Sequence, residues 1–272
     1  MAGKEGMSAG NVAGVVRRKT SEAQSSVASC IDVVFIPEMA TYVDFSGKIA
    51  LVVDILRASS TITMALTNGA RAVLPVLTPE DAFTEYQDEY SLLCGERHGK
   101  RIKGFHLGNS PREYHPEIVR DKQLIFTTTN GTRALHVCSN AAELLMGSFL
   151  NRRAVCDHLV QSISTPTPKR NIVIVCSGKE GNIGIEDLVF AGLCVDTLKS
   201  RIDVELTDAA KIARLIYEHY STDILGMLFD CEHGKYLASI GLAEDLEFCA
   251  QMDVTDVVPI GCEGKLVKAI QG

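Results

Sequence analysis

Residues 47–77, GKIALVVDILRASSTITMALTNGARAVLPVL, predict a strand, a helix and a second strand in immediate succession. The run at 47–53 (GKIALVV) is continuously aliphatic, which is typical of a strand buried on both faces of a sheet. Residues 57–68 place Ala, Leu, Met and Thr at helical spacing and end at an Asn-Gly pair, which favours a helix C-terminus. The next strand-like run, 72–77, follows at once.

The same alternation of strands and helices is predicted to continue to the end of the chain. Because the strands are apolar throughout, the predicted fold class is α/β: a three-layer, largely parallel sheet with helices on both faces. Two prolines in 162–170 (SISTPTPKR) predict a boundary between two joined lobes. Further strands are predicted at 31–36, 92–94, 123–127, 144–146 and 171–176, and further helices after Thr78, after Asn130, and at 151–162, 185–198 and 207–220.

Length and composition restrict the class of protein. A chain of 272 residues with 46% hydrophobic residues can bury a full α/β core. Its net charge of −7 argues against nucleic-acid and membrane-surface partners, since both require broad basic surfaces. No apolar run reaches the ~18 residues that span a bilayer. An anionic ligand would therefore need a local cluster of donors.

Residues 1–30, rich in Gly, Ala and Ser, are predicted to be a disordered extension, and residues 31–272 to be the α/β domain. An organelle transit peptide is the alternative for 1–30, which Glu5 and Glu22 weaken. The nine cysteines are dispersed and none forms a C-x-x-C pair, so a zinc or dithiol site is unsupported. Dispersed thiols favour a reducing compartment, here the cytoplasm.

In α/β sheets, ligands bind beyond the carboxyl ends of strands, so polar residues at those ends are candidate site residues. The first group is VDILRASST, 53–61. Asp54 ends a strand, Arg57 follows, and Ser59 and Ser60 open a helix whose free N–H groups favour an anion. A carboxylate beside an anion-binding turn suggests a metal-bridged phosphate. The alternative is that Asp54 and Ser59 only cap the helix.

The second group is the loop GERHGKRIKGFHLGNSP, 95–111. Together with Arg112 it carries five basic residues and one acidic residue in a protein that is acidic overall. An anionic substrate would account for this local charge. Arg97 is the strongest candidate because it lies closest to the preceding strand, whereas Lys100 and Lys103 suit a solvated loop.

The third group is TTTNGTRA, 127–134, with GSFLN, 147–151, after the next strand. These residues offer hydroxyl, amide and guanidinium donors but no acid, which suits the binding of an oxyanion. An ordinary Asn-Gly turn is the alternative. The candidate binding residues are Thr128, Thr129, Asn130, Gly131, Arg133 and Ser148.

The fourth group is VIVCSGKEGNIGIEDLVFAG, 173–192. A glycine-rich turn at Gly178 leads to Glu186 and Asp187 at a predicted helix start. Such a pair can hold a cation, or it can simply be a favourable arrangement with the helix dipole.

Several catalytic schemes fail on spacing. A cysteine phosphatase needs an arginine at the sixth position after its thiolate, where Cys94 is followed by Lys100 and Cys176 by Asn182. The G-x-x-x-x-G-K-[ST] phosphate loop and the G-x-G-x-x-G turn are both absent from the sequence, so ATP and dinucleotides are not indicated. No two of His98, His106 and His233 have a helical metal-ligand spacing.

Six stretches occur in the order seen in 2-phosphosulfolactate phosphatases, and between residues 31 and 259 the chain resembles that family. They are VDILRASST, GERHGKRIKGFHLGNSP, TTTNGTRA, GSFLN, CSGKEG with Glu186-Asp187, and HGKYLASIGLAEDLEFCAQMD at 233–253. The resemblance implies an α/β fold and magnesium-dependent hydrolysis of 2-phospho-3-sulfolactate to 3-sulfolactate and phosphate, a step of coenzyme M biosynthesis. One position departs from the family pattern, because His106 stands where an aspartate is expected.

The resemblance also assigns roles. Asp54, Glu186 and Asp187 fall at motif acids and are expected to bind Mg²⁺, while Asp54, Arg57, Arg97 and Glu186 are the expected catalytic residues. The expected substrate-binding residues are Ser59, Ser60, Asn109, Ser110, Thr128, Thr129, Asn130, Gly131, Arg133, Ser148 and Gly178.

The expected substrate is a small anionic phospho-acid that carries phosphate, sulfonate and carboxylate. Either water or Asp54 would attack the phosphorus in line. Two alternatives remain open at this stage: hydrolysis of another phosphorylated hydroxy acid, and a binding protein that holds an anion without turnover. A homodimer is a further expectation, since doubly wound proteins of this size often pair.

Overall fold

The computed structural model describes residues 29–164 and 170–269. The predicted extension lies outside the described residues except for its last two, Ser29 and Cys30, which begin the first strand. The middle of the predicted lobe boundary, 165–169, also lies outside them.

Eleven strands in the described part of the chain form one sheet. In chain order they are β1 Ser29–Val34, β2 Ile49–Val53, β3 Ala72–Pro75, β4 Ser91–Arg97, β5 Lys100–Arg101, β6 Gln123–Thr127, β7 Glu143–Gly147, β8 Ile172–Cys176, β9 Val204–Leu206, β10 Pro259–Cys262 and β11 Lys265–Lys268.

Eleven α-helices in the same part of the chain connect and cover these strands. They are α1 Pro37–Ala40, α2 Ala58–Thr67, α3 Pro79–Glu85, α4 Pro116–Val119, α5 Gly131–Val137, α6 Arg152–Ser164, α7 Ile185–Arg201, α8 Asp208–Tyr220, α9 Ile224–Asp230, α10 Glu232–Ser239 and α11 Ala243–Cys249. Among the described residues, no helix is long and apolar enough to cross a membrane.

The strand order across the sheet is β5-β4-β6-β3-β11-β10-β7-β2-β8-β1-β9. The predicted α/β class with a largely parallel sheet is confirmed, because β4, β6 and β3 are parallel to one another, as are β7, β2, β8, β1 and β9. Since β2 pairs with both β7 and β8, strands from before and after the proline-containing segment 162–170 are neighbours in one sheet.

The prediction that strand–helix alternation continues to the C-terminal end was wrong. The chain instead runs through three short helices, α9 to α11, and ends in the antiparallel hairpin β10–β11. This hairpin lies in the middle of the sheet, with Leu266 opposite Val73 of β3 and Ile260 opposite Leu145 of β7. The sheet is therefore mixed, and its two parallel groups are joined only through this hairpin.

The alternation of side chains along β2 explains the two cores. Ile49, Leu51 and Val53 point to a core that α6, α7 and the C-terminal helices cover. Ala50 and Val52 point to the opposite core, covered by α2 and α5. All five residues are buried because both faces of the strand are covered, as its continuous apolar run predicts.

Local signals account for several helix ends. Thr78 caps α3, since its hydroxyl accepts a hydrogen bond from Asp81 N and the Asp81 carboxylate accepts one from Thr78 N. Asn68 follows α2, and Gly69 adopts a φ of +95°, which glycine tolerates without steric cost.

Candidate active site

The loops after β2, β4, β6 and β8 meet helix α10 around a narrow cleft of about 30 Å³. Carboxylates, hydroxyls and amides from sequence positions far apart face this space. The lining includes Asp54, Arg57, Glu96, His98, Gly99, Asn109, Thr129, Asn130, Lys179, Glu180, His233 and Tyr236. We call this space the cleft.

Asp54 is almost fully buried at the end of β2. Its Oδ1 accepts a hydrogen bond from Ala58 N at 3.1 Å, and its own N–H donates to Ser59 Oγ at 2.8 Å. Its other oxygen lies against Gly131, where a Cβ atom would stand 2.7 Å from Oδ2. Asp54 is therefore held rigidly by the start of α2 while one oxygen remains available to a ligand.

Burial raises the pKa of the Asp54 carboxyl group from 3.8 to about 6. The nearby charge of His233 and the Ala58 N–H lower this pKa, whereas the carboxylates of Glu96 and Glu186 raise it. Three carboxylates therefore lie close enough to influence one another, an arrangement that a bound cation would relieve.

Glu96, at the end of β4, is a site residue that the sequence analysis counted only as a charge. Its Oε1 accepts a hydrogen bond from Thr129 N at 3.0 Å, and its Oε2 accepts one from Gly99 N at 2.7 Å. These bonds connect β4, its following turn and the loop after β6. The position of an acid in the GER stretch after a strand could have indicated this role.

Glu186 and Asp187 at the start of α7 have different environments. Asp187 accepts hydrogen bonds on both oxygens, from Ile55 N at 2.8 Å and from Gly178 N at 2.9 Å. Glu186 pairs through Oε1 with His233 Nδ1 at 3.1 Å, and its Oε2 is buried with no hydrogen-bond partner in the described structure. Asp187 thus joins two loops, while Glu186 has a free acceptor.

The pKa of Asp187 is raised well above its ordinary value by burial and by the neighbouring Glu186 and Asp54 carboxylates. The two backbone N–H groups that it accepts from oppose this shift, because they stabilise the ionised form. Both effects on the pKa arise because the Asp187 carboxyl group is buried beneath the loops after β2 and β8 and does not line the cleft.

Arg57 lines the cleft, but its guanidinium is already paired. Nη1 donates to Asp245 Oδ2 of α11 at 2.5 Å, and Nη2 donates to the Gly99 carbonyl at 2.9 Å. Ser110 Oγ donates to the other Asp245 oxygen at 2.7 Å. Arg57 and Ser110 are thus connected through a buried acid that the sequence analysis did not single out.

Two other predicted donors point away from the cleft. Arg97 donates to the carbonyls of Glu96 and Leu77 and to Thr127 Oγ1, at 2.7, 3.1 and 2.9 Å. Arg133 is half exposed and forms an ion pair with Glu38 at 2.7 Å. The structure therefore does not bring these two guanidinium groups together with Asp54.

The predicted donors after β6 surround the cleft. Thr129 and Asn130 line it, and Asn130 Oδ1 accepts a hydrogen bond from Glu180 N at 3.0 Å. Thr128 faces its own helix, where its Oγ1 accepts from Thr132 N at 3.4 Å. Gly131 lies against Asp54, because a larger residue would collide with the carboxylate.

Other predicted residues have local hydrogen bonds. Ser60 Oγ donates to the Ile55 carbonyl at 3.1 Å, so it supports the turn after β2. Ser148 caps the short 3-10 helix Phe149–Asn151 and does not line the cleft. Gly178 has a φ of +57°, and a Cβ there would lie 2.2 Å from the Asn182 carbonyl oxygen.

His106, the position that departs from the expected motif, lies outside the cleft. Its Nδ1 accepts a hydrogen bond from Leu93 N at 3.0 Å, and its Nε2 lies 3.3 Å from the Tyr86 hydroxyl. The side chain is exposed beside β4. In this fold the residue supports the strand and does not line the space around Asp54.

Unpartnered buried polar atoms occur on the segments around the cleft, where those of Asn109 and Thr129 line it. Of the six such atoms found in the described residues, four belong to Asn109 (Oδ1), Thr129 (Oγ1), Ser177 (Oγ) and Glu186 (Oε2). Buried polar groups nearly always form hydrogen bonds, so these atoms are expected to bind a ligand, an ion or water.

The donor set fits a hard divalent cation in its chemistry. Asp54 and Glu186 supply carboxylate oxygens, and the Glu186 Oε2 atom has no other partner. Mg²⁺ is commonly held by one or two carboxylates, with water and substrate phosphate completing its shell. No group of three or more His, Cys, Asp or Glu side chains among the described residues forms a ready-made metal site, so phosphate oxygens would have to complete the shell.

A second, larger space of about 290 Å³ adjoins the cleft, and we call it the adjacent cavity. Lys179 and His233 line both spaces, whereas Glu186 lines only the adjacent cavity. The remaining walls come from the start of α7, the end of α8 and helices α9 and α10. A ligand of several polar groups could therefore extend from Asp54 past His233.

Five residues that shape this region were not predicted as site residues from the sequence. They are Glu96, Lys179, His233, Tyr236 and Asp245. His233, Tyr236 and Asp245 stand in the motif HGKYLASIGLAEDLEFCAQMD, which was recognised as a family motif without a role for its residues. The order of the family motifs indicated that this segment belongs to the family pattern, but it did not indicate that the segment lies over the cleft.

Comparison with known proteins agrees with the resemblance. Residues 34–264 match the family model described as 2-phosphosulpholactate phosphatase. A probable 2-phosphosulfolactate phosphatase of Clostridium perfringens is 42% identical over 80% of this chain and 89% of its own length. A protein with the same description from Pseudothermotoga lettingae is 41% identical over 88% of this chain and 98% of its own length. Another, from Caldanaerobacter subterraneus, is 40% identical over 79% of this chain and 88% of its own length.

Proposed function

The chain belongs to the 2-phosphosulpholactate phosphatase family, and we propose from this that it hydrolyses 2-phospho-3-sulfolactate to 3-sulfolactate and inorganic phosphate. The observation that carries the proposal is the meeting of Asp54, Glu96 and the unpartnered polar atoms Asn109 Oδ1 and Thr129 Oγ1 in one cleft. In a phosphoric monoester hydrolase, polar groups position the phosphoryl group, and a cation held by the acids would neutralise its charge.

We propose that Mg²⁺ is the cofactor and that Asp54 and Glu186 hold it. When bound, the ion would neutralise charge on the phosphoryl oxygens. The assignment of Asp187 changes, because both of its oxygens already accept backbone N–H groups. Asp187 would instead fix the loops that carry the two ligands.

The protein's own groups would perform three tasks. The Thr129 hydroxyl, which lines the cleft without a partner, would donate a hydrogen bond to the phosphoryl group beside Asp54. Water attacks phosphorus in line while the bond from phosphorus to the C2 oxygen breaks. If Asp54 attacks instead, water hydrolyses the resulting aspartyl phosphate in a second step, which releases inorganic phosphate and restores the Asp54 carboxylate. His233, which lines both spaces and is oriented by Glu186, is placed to give the departing oxygen its proton.

Measurement of phosphate release tests this function. The panel is 2-phospho-3-sulfolactate, 2-phospholactate and other phosphorylated hydroxy acids, each with Mg²⁺ and with a chelator. We expect the sulfonate-containing substrate to be hydrolysed fastest and chelation to abolish release. Faster hydrolysis of another phospho-acid would identify that compound as the better substrate. If these ligands raise the melting temperature but no phosphate is released, the protein binds anions without turnover.

A second measurement distinguishes Asp54 from water as the group that attacks phosphorus. If Asp54 is the nucleophile, the phosphate analogue beryllofluoride forms an adduct on its carboxylate, which mass spectrometry or ¹⁹F NMR detects. Without an adduct at concentrations that inhibit hydrolysis, water is the nucleophile. The family resemblance suggests coenzyme M biosynthesis as the setting, and the nine free cysteines support a reducing compartment such as the cytoplasm.

A further inference from the structure

The cleft has few cationic groups that are still available to an anion. Arg57 is paired with Asp245, Arg97 with main-chain carbonyls and Arg133 with Glu38. The substrate of the proposed reaction nevertheless carries two anionic groups besides the phosphate, so at least one further cation must face the bound molecule.

Lys179 is a cation with no charged partner in the described structure. Its ammonium forms no hydrogen bond or ion pair among residues 29–164 and 170–269, and it lies 4.8 Å from the centre of the Tyr236 ring. A cation over an aromatic face is attracted by the ring and retains its capacity to donate hydrogen bonds. The side chain is half-buried, and Lys179 lines both the cleft and the adjacent cavity.

The position of Lys179 is fixed from both sides. Its N–H donates to the Asn182 carbonyl at 2.9 Å, and the Asn182 N–H donates back to its carbonyl at 2.9 Å. Tyr236, which carries the ring beneath the ammonium, donates its hydroxyl to the His98 carbonyl at 2.9 Å. The ammonium is therefore held by the loop after β8, and its aromatic support is held by the turn after β4.

Lys179 also stands at the junction of two spaces of unequal size. The cleft, with Asp54, holds about 30 Å³, whereas the adjacent cavity holds about 290 Å³, and Lys179 lines both. A phosphoryl group in the cleft leaves the rest of a three-carbon acid to extend into the adjacent cavity. The substrate's non-transferred anion would then pass beside the Lys179 ammonium.

We propose that Lys179, held over the Tyr236 ring, binds the non-transferred anionic group of the substrate and selects phospho-acids over simple phosphate esters. This inference rests on the proposed function, because it names the part of the same substrate that the lysine recognises. Lys179 is a specificity residue, and Tyr236 acts through it as a positioning residue.

The test compares Lys179→Met and Lys179→Arg with wild type on two substrates. For 2-phospho-3-sulfolactate, Lys179→Met is expected to raise KM about 10- to 100-fold with little change in kcat, the worth of one charge-assisted hydrogen bond. For p-nitrophenyl phosphate, which has no second anion, KM is expected to stay within about twofold of wild type. Lys179→Arg is expected to recover most of the affinity.

Matched variants locate the effect. Tyr236→Leu removes the ring beneath the ammonium and is expected to raise KM in the same direction as Lys179→Met. Lys103→Met removes an equal charge from the exposed loop after β5 and is expected to leave the KM for both substrates unchanged. Equal losses on both substrates, or no loss on either, would overturn the proposal.

Binding of the product separates this inference from the proposed function. 3-Sulfolactate carries the sulfonate and carboxylate without phosphate, and calorimetry is expected to show that Lys179→Met weakens its binding about 10-fold or more. If no phospho-acid is hydrolysed but this difference appears, the proposed reaction fails and the role of Lys179 stands. If wild type and Lys179→Met bind 3-sulfolactate equally, or neither binds it, the role of Lys179 is wrong.

Discussion

At the scale of single residues, one cost to folding lies in Asp54, whose buried carboxyl group has its pKa raised to about 6. An acid with a raised pKa retains its proton in the folded chain at pH values where the unfolded chain has lost it. The free energy of unfolding therefore falls as pH rises from about 4 to about 6, and the penalty persists above pH 6. Asp54 thus destabilises the metal-free protein at neutral pH.

Asp54→Asn is expected to reverse that penalty. In chelator at pH 7, urea unfolding should show a gain on the order of 2 kcal/mol, which shrinks toward zero near pH 4. Phosphate release should fall by more than about 100-fold, because the ligand and attacking oxygen are lost.

Asp44→Asn is the control for this prediction. Asp44 is exposed and its pKa is lowered by hydrogen bonds from Ser46, so removal of its charge should not stabilise the fold. Equal stability of Asp54→Asn and wild type at pH 7 would contradict a carboxylate penalised by burial.

Glu186 and Asp187 are adjacent, yet their amide variants should behave differently. Glu186→Gln retains the acceptor for His233 and should lose most activity with little change in stability. Asp187→Asn turns an NH₂ group toward a backbone N–H, of Ile55 or Gly178, and should cost about 1–3 kcal/mol. Paired measurements of urea unfolding and phosphate release check both. Equal losses of stability would contradict the distinction between the two acids.

At the scale of elements, helix α11 is attached to the cleft through one buried ion pair. Asp245 accepts from Arg57 and Ser110, and both charged side chains are nearly inaccessible to water, 3% exposed for Arg57 and 1% for Asp245. Asp245→Ala would leave the Arg57 charge buried without its partner, and we expect the free energy of unfolding to fall by about 3–5 kcal/mol.

A neighbouring pair on the same helix provides the control for Asp245. Glu244 pairs with Arg112, but both side chains are exposed. Glu244→Ala should therefore cost at most about 1 kcal/mol. The double variant Arg57→Leu with Asp245→Leu should lose less than the sum of the single variants, because it leaves no unpaired charge. Additive losses in urea unfolding would contradict a coupled pair.

At the scale of the whole molecule, the C-terminal hairpin joins the two parallel groups of strands. Leu266 of β11 is 1% exposed and lies opposite Val73. Leu266→Ala should therefore lower the free energy of unfolding by about 2–5 kcal/mol, the cost of a cavity in a well-packed core.

The control for Leu266 is Leu215→Ala on α8, where the leucine is 63% exposed and the change should stay within about 0.5 kcal/mol. Thermal and urea unfolding check both variants. A small effect of Leu266→Ala would show that the hairpin only covers an edge and is not part of the central sheet.

The amino-acid sequence by itself determined the fold class and the location of most elements. The strand predicted at 123–127 is β6 with identical bounds, and the helix predicted at 185–198 is the first part of α7. Aliphatic runs, helical spacing and capping residues act between neighbours in the chain, so local physics suffices for them. The family motifs also indicated the loops around Asp54.

Only the tertiary structure decided which side chains face the cleft. It inserted the hairpin β10–β11 into the sheet, directed Arg97 toward main-chain carbonyls, and brought Asp245 to Arg57 across 188 sequence positions. It also gave Asp187 two backbone donors and left Lys179 over Tyr236. These outcomes depend on contacts between distant segments, which compete for the same donors and acceptors once the sheet has assembled, and no local pattern encodes the result of that competition.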